Sequence, residues 1–155
     1  VPAGRELKEL MPAIARGAGD AHVDHEGSVI VVIGTDAPLS SRQLERLSRR
    51  AALGLARTGS SSGNSSGDII IAFSTANLIP QQNSPAVLDA RLLSTNRVDP
   101  LFRAVVEATE EAVLNALSMA NTMTGINGNT VYALPYDRLL SIMRKYGRGP
   151  KAPPG

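Results

Sequence analysis

Gly27-Ser-Val-Ile-Val-Val-Ile-Gly-Thr-Asp36 is the stretch of sequence that decides the fold. Its continuous run of β-branched residues is typical of a strand buried on both faces. Asp68-Ile-Ile-Ile-Ala-Phe-Ser74 repeats the pattern and predicts a second buried strand. Between the two, Ser40 or Ser41 can cap a helix that ends near Gly59. The predicted apolar face of this helix consists of Leu44, Leu47, Ala51 and Leu55.

The rest of the chain continues the alternation of strands and helices. A long connection over residues 76–96 leads to a predicted helix from about Asp99 to Met123. A short strand over Thr130–Leu134 and a helix over Pro135–Tyr146 follow. The order β-α-β-α-β-α predicts an α/β fold class, and so few strands indicate one part of a larger sheet.

Composition excludes several classes of protein. With 3% aromatic residues among 155, the core must be mostly aliphatic, and the absence of cysteine rules out disulfides. The longest apolar runs are too short for a bilayer, so no membrane partner is predicted. Residues 1–27 lack a secretory signal, which favours a cytoplasmic location. A net charge of +2 gives no argument for nucleic acid. Arginines do gather at Arg42, Arg46, Arg49 and Arg50, but Glu45 lies among them, which favours a solvated helix face.

No cofactor or metal is predicted. The two histidines, His22 and His25, lie near Asp24 and Glu26, but a Gly-rich polar loop is the better interpretation of this segment. The Gly-rich stretch 59–67 lacks the Lys-Ser/Thr ending of a phosphate loop. No Gly-x-Ser-x-Gly motif supports a Ser-His-Asp triad.

A nucleophile that needs no histidine is possible at Gly27-Ser28. In N-terminal-nucleophile hydrolases the α-amine of the nucleophilic residue itself acts as the base. A free α-amine has a pKa of about 7.7–8.0, so part of it is unprotonated near neutral pH. Such an amine requires prior cleavage of the Gly27–Ser28 bond, and glycine tolerates the backbone geometry that this needs. Alone, a Gly-Ser pair before a strand is a weak signal.

The specific signal is a resemblance to a known family. Gly27 to Leu39 resembles the start of the nucleophile-bearing β subunit of the L-aminopeptidase/D-esterase family, also called DmpA-like or β-peptidyl aminopeptidases. Further similar blocks are Arg49-Arg-Ala-Ala-Leu-Gly-Leu-Ala-Arg-Thr-Gly59, Asn64-Ser-Ser-Gly-Asp-Ile-Ile-Ile-Ala-Phe-Ser-Thr-Ala76, Asn121-Thr-Met-Thr-Gly125 and Gly128-Asn-Thr-Val-Tyr-Ala-Leu-Pro135. Together they cover nearly all of residues 27–148.

The resemblance implies roles for individual residues. Ser28 would be the nucleophile, released by self-cleavage after Gly27. Ser66 would hydrogen-bond near the new α-amine, and Asp68 would be the acidic residue that holds and polarises it. From the residues alone, the better interpretation is that Ser66 is a turn residue and Asp68 a solvated acid at a strand start.

The resemblance also implies an architecture. The chain would contribute to a four-layer α/β/β/α sandwich of the N-terminal-nucleophile-hydrolase type. Residues 1–27 would be the end of the α-subunit region, 28–148 the catalytic β portion and 149–155 a flexible tail. The partners would be the missing α-subunit region and further αβ units in a homo-oligomer. The substrates would be short peptides, amino-acid amides, esters or β-peptides.

Two alternatives stay open at the level of sequence. An ornithine-acetyltransferase-like acyltransferase resembles the same self-cleaving architecture, but that family has threonine where this chain has Ser28. A non-catalytic binding or assembly module of the same fold would keep the strands without the processing. A nucleic-acid-binding domain lacks the aromatic residues for base stacking.

Overall fold

The computed structural model describes residues 27–64, 66–81 and 85–149. These residues form two compact units, 27–114 and 115–149, which are described separately. All of the predicted α-subunit segment 1–27 except Gly27, and the predicted tail beyond residue 149, lie outside the described residues. The first unit contains strand β1 (Ile30–Thr35), helix α1 (Ser41–Arg57), strand β2 (Ile69–Ser74), a 3₁₀ turn (Thr95–Arg97) and most of helix α2 (Asp99–Met119).

Strands β1 and β2 form a parallel pair, in register from Ile30 opposite Ile69 to Thr35 opposite Ser74. Parallel neighbours need a crossover connection, and α1 provides it. Helices α1 and α2 contribute to an aliphatic core against one face of this pair. The buried members of that core are Leu39, Leu47, Ala51, Val98 and Val105.

Helix α1 begins with a capping box that also fixes the long connection. The Ser40 hydroxyl accepts the Gln43 amide, and the Gln43 side chain accepts the Ser40 N–H at 2.9 Å. Gln43 is buried, and its side-chain amide donates to the Leu93 carbonyl at 2.8 Å. One side chain thus caps the helix and holds the connection against it. The predicted cap and the predicted apolar face of α1 are confirmed.

The prediction that β1 and β2 are buried on both faces is wrong for the described chain. Residues alternate between half-buried and exposed along both strands. The helices cover one face only, and the outer face exposes Ile30, Val32, Ile69, Ile71 and Phe73. Both faces of the strand pair are apolar in sequence, but the described residues cover only one of these faces. The pair therefore has the composition of a strand pair from the middle of a sandwich.

The second unit contains the end of α2, a small hairpin and helix α3 (Tyr136–Lys145). Helix α2 ends at Met119, short of the predicted Met123, because Met123–Thr124 forms strand β3. This strand pairs antiparallel with β4 (Thr130–Val131), which is shorter than predicted. Asn127 takes φ of 59° in the turn between them, a conformation that asparagine tolerates better than most residues.

Gly54 tests the close approach of α1 and α2. A Cβ atom at Gly54 would lie 2.6 Å from the Val106 carbonyl oxygen and 2.7 Å from Thr109 Cβ. We expect Gly54→Ala to destabilise the protein by about 1–3 kcal/mol through overpacking. Thermal unfolding of the complete protein measures this, with the exposed Ala52→Ser as control. Equal melting temperatures for Gly54→Ala and the wild type would contradict this packing.

Candidate active site

The parallel register places the starts of β1 and β2 side by side. Ser28 stands two residues before β1, and Asp68 directly precedes β2. The Ile69 N–H donates to the Val29 carbonyl at 2.9 Å, which extends the ladder to this end. The Gly67 N–H donates to Ser28 Oγ at 2.8 Å. The candidate nucleophile is therefore held by backbone from the second strand's entry loop.

Asp68 is bonded through both carboxylate oxygens. Its Oδ1 accepts the backbone N–H of Val29 at 3.0 Å. Its Oδ2 accepts the hydroxyl of Ser62 at 3.0 Å. One donor on each oxygen thus holds the carboxylate beside Val29, the residue that follows Ser28.

These donors also set the charge of Asp68. The pKa of this carboxyl is lowered from its ordinary 3.8, most of all by the hydroxyl of Ser66, then by the Val29 amide and the Ser62 hydroxyl. Partial loss of solvent opposes them weakly. Hydrogen bonds to the charged form favour it. Asp68 is thus a fixed negative charge at neutral pH.

Ser62 reaches the carboxylate from an unusual backbone conformation. Its φ is 46°, in the left-handed region, which costs a residue other than glycine about 1–2 kcal/mol. Its own N–H donates to the hydroxyl of Ser60 at 3.3 Å. A polar cavity of about 250 Å³ opens here, lined by Gly27, Ser66 and loop residues 59–63. The serine-rich loop therefore points hydroxyls and amides at the strand starts.

The structure brings together Gly27, Ser28, Ser66 and Asp68, the residues that the sequence singled out. Their catalytic roles stay predictions. Sequence reasoning missed Ser62 and the two backbone donors, the amides of Val29 and Gly67. A run with so many serines has no local signal that separates one hydroxyl from the next.

The described residues hold neither a cluster of metal ligands nor a membrane-spanning helix. Within residues 27–64, 66–81 and 85–149, no group of three or more His, Asp or Glu side chains is arranged to hold a metal ion. The candidate pair His22 and His25 lies outside these ranges. In the same part of the chain no helix is long and apolar enough to cross a membrane.

A serine at the mouth of a buried-type strand, with a carboxylate and hydroxyls beside its backbone, fits the class of N-terminal-nucleophile hydrolases. The sequence narrows the class to one family, because residues 1–131 match the family model of peptidase family S58. The chain belongs to this family.

Individual relatives agree. The chain is 40% identical over 153 residues to the beta-peptidyl aminopeptidase BapA of Sphingosinicella microcystinivorans, covering 95% of this chain and 39% of that protein. A crystal structure of the L-aminopeptidase D-Ala-esterase/amidase of Ochrobactrum anthropi, described as a variant of the Ntn hydrolase fold, matches with a TM-score of 0.71. The two sequences are 45% identical, and the match covers 78% of this chain and 34% of the Ochrobactrum anthropi chain. A Burkholderia sp. beta-aminopeptidase structure gives 0.77, with 34% identity, and covers 96% of this chain and 40% of its own.

The predicted α/β fold of the Ntn-hydrolase type is confirmed by these neighbours. The chain spans about two fifths of the length of the relatives it matches. The outer apolar face of β1 and β2 agrees with this, since a sandwich of this type places a second sheet against the first.

Asp68 should make stability depend on pH in a defined direction. Its folded-state pKa lies below 3.8, so it stabilises the fold above its unfolded pKa of about 3.9, and that contribution is lost as pH falls through the folded value. We expect Asp68→Asn to lower the melting temperature at pH 7 and to lower it less at pH 3. Asp89→Asn, at an exposed carboxylate outside the site, controls for loss of charge. An equal cost of Asp68→Asn at both pH values would contradict the assignment.

Proposed function

We propose that this chain carries the catalytic half of a self-processing serine aminopeptidase. The Gly27–Ser28 bond is cleaved, and Ser28 then removes the N-terminal residue of short peptides, amino-acid amides or esters through an acyl-enzyme. The observation that carries the proposal is the cluster at the strand starts, where Asp68 and the Gly67 amide hold the backbone and hydroxyl of the nucleophilic segment. The S58 family membership supports it.

The proposed self-cleavage takes place at this edge of the sheet. Ser28 Oγ attacks the carbonyl carbon of Gly27, its proton passes to the departing amide nitrogen, and the peptide bond becomes an ester. Water hydrolyses the ester and leaves a carboxylate on Gly27 and an α-amine on Ser28. The Gly67 N–H donates to Oγ at 2.8 Å, which holds the attacking oxygen in place and favours the loss of its proton.

Turnover uses the amine that cleavage creates. The unprotonated α-amine of Ser28 takes the proton of its own hydroxyl as Oγ attacks the substrate carbonyl. Asp68 is bonded to the amide of Val29, the residue next to Ser28. Its negative charge stabilises the protonated form of the Ser28 amine. The Ser66 hydroxyl lowers the pKa of Asp68 and so supports its charged form. The amine then returns the proton to the leaving group, and water releases the acyl product.

The substrate class follows from the relatives. One is a beta-peptidyl aminopeptidase and one an L-aminopeptidase D-Ala-esterase/amidase, so we assign this protein amide and ester bonds after an N-terminal residue. The relatives are more than twice as long as this chain, which supports an α-subunit region as its partner. Division at Gly27, assembly of αβ units into a homo-oligomer and a cytoplasmic location stay predictions. Family membership favours this function over an ornithine-acetyltransferase-like one.

Mass spectrometry of the complete protein tests the nucleophile. The wild type should yield two chains that meet between Gly27 and Ser28, and Ser28→Ala should stay intact. The kcat/KM of Ser28→Ala for an amino-acid amide should be lower than that of the wild type by about a thousandfold or more, as for loss of other serine nucleophiles.

Ser48→Ala is the matched control, because that hydroxyl bonds back to Leu44 within α1. It should be cleaved and active like the wild type. An intact wild-type protein that still hydrolyses amides would contradict the mechanism. A cleaved protein inactive on a broad panel of amides would instead favour a binding module.

Gly67 gives a graded test of the geometry around Ser28. A Cβ atom here would lie 3.4 Å from Ser28 Oγ, at the limit of ordinary contact. We expect Gly67→Ala to slow self-cleavage modestly and Gly67→Val to slow it by about a hundredfold, because a displacement near 1 Å costs about that much. Gly125→Ala, whose nearest neighbour would be 3.8 Å away, is the control. Equal cleavage rates across the series would contradict the contact.

A further inference from the structure

Ser62 lies in the serine-rich loop and belongs to none of the roles assigned so far. Its hydroxyl donates to Asp68 Oδ2 at 3.0 Å, six residues further along the chain. No hydrogen bond joins it to Ser28 among the contacts of the described residues. Its recorded side-chain contact with the site is therefore the one to Asp68.

The two oxygens of Asp68 have different tasks. Oδ1 faces the Val29 N–H, which belongs to the peptide directly after Ser28. Oδ2 accepts the hydroxyl of Ser62, from the serine-rich loop before β2. The Val29 amide alone holds one oxygen, and a second donor on Oδ2 restrains rotation about the Cβ–Cγ bond, so loss of the Ser62 hydroxyl loosens the position of Oδ1. The hydrogen bond on Oδ2 thus helps to keep Oδ1 in place.

The backbone of Ser62 indicates that this bond matters. A serine at φ of 46° is strained, and glycine would take the same conformation freely. Strained residues of this kind persist where the surrounding structure demands them, often at functional sites. Here the left-handed turn, supported by the bond from the Ser62 N–H to Ser60, aims the hydroxyl at the carboxylate.

We propose that Ser62 is a positioning residue for the reaction: its hydroxyl fixes the orientation of Asp68, and through it the start of β1 that carries Ser28. This inference rests on the proposed function. It adds a third hydroxyl to the site, after those of Ser28 and Ser66, with no contact of its own to the reacting atoms.

Two substitutions separate the hydroxyl from the shape of the loop. Ser62→Ala removes the hydroxyl and keeps the strained Cβ. Ser62→Gly removes the hydroxyl and relieves the strain, so it should fold at least as well as the wild type. If the hydroxyl positions Asp68, both variants lose activity. If only the loop conformation matters, Ser62→Gly stays active.

The experiment is a double-mutant cycle in the complete protein with an amino-acid amide as substrate. We expect Ser62→Ala and Ser62→Gly each to lower kcat about tenfold, the size of one hydrogen bond to a charged group, with KM within about twofold. In the Asp68→Asn background the same changes should cost less than about twofold, because residues that act through one another are not additive. Ser48→Ala should match the wild type in both backgrounds.

Each other outcome overturns the proposal. Wild-type kcat in Ser62→Ala, full activity in Ser62→Gly, or losses that multiply with Asp68→Asn would each exclude positioning through Asp68. Failure of the proposed function looks different, since the wild type would then show no activity that Ser28→Ala removes. If the enzyme is active and depends on Ser28, but substitution of Ser62 leaves kcat unchanged, only the role of Ser62 is refuted.

Discussion

The site depends on one constraint, the parallel register of β1 and β2. Ile30 lies opposite Ile69, so the residues before each strand meet at the same edge of the pair. Ser28 and Asp68 become neighbours for this reason alone. An antiparallel pairing would place the start of one strand against the end of the other. Helix α1, as the crossover, makes the parallel arrangement possible, and its capped start and buried Gln43 fix its position against the connection.

Charge and shape at this edge come mainly from the backbone. The Gly67 amide reaches Ser28 Oγ, and the Val29 amide reaches Asp68. Backbone donors have fixed directions once the strands are paired, so they hold Ser28, the proposed nucleophile, without the cost of ordering a long side chain. The Ser62 hydroxyl adds a hydrogen bond to the Asp68 carboxylate, and the Ser66 hydroxyl lowers the pKa of the same group.

The sequence predicted the elements that have a strong local pattern. Both strands, the cap at Ser40 and the apolar face of α1 follow from β-branched runs and helical spacing. The end of α2 did not, because no glycine or proline marks a stop between Met119 and Met123, and only pairing with Thr130–Val131 makes Met123–Thr124 a strand. Burial of both sheet faces was also expected, since a sequence records where side chains are apolar and not which chain covers them. Ser66 and Asp68 were found through family resemblance. Ser62 could not be, because its direction is set by a backbone angle.

The bond between the Val29 amide and Asp68 joins residues 39 positions apart. During synthesis the chain emerges from its N-terminus at roughly 5–20 residues per second, so the Gly27–Ser28 junction waits roughly 2–8 seconds before Asp68 is even made. Until then the junction lacks its carboxylate and its Gly67 amide. Under the proposed mechanism, the order of translation therefore keeps Ser28 inactive until the crossover helix and the second strand have joined the nascent fold.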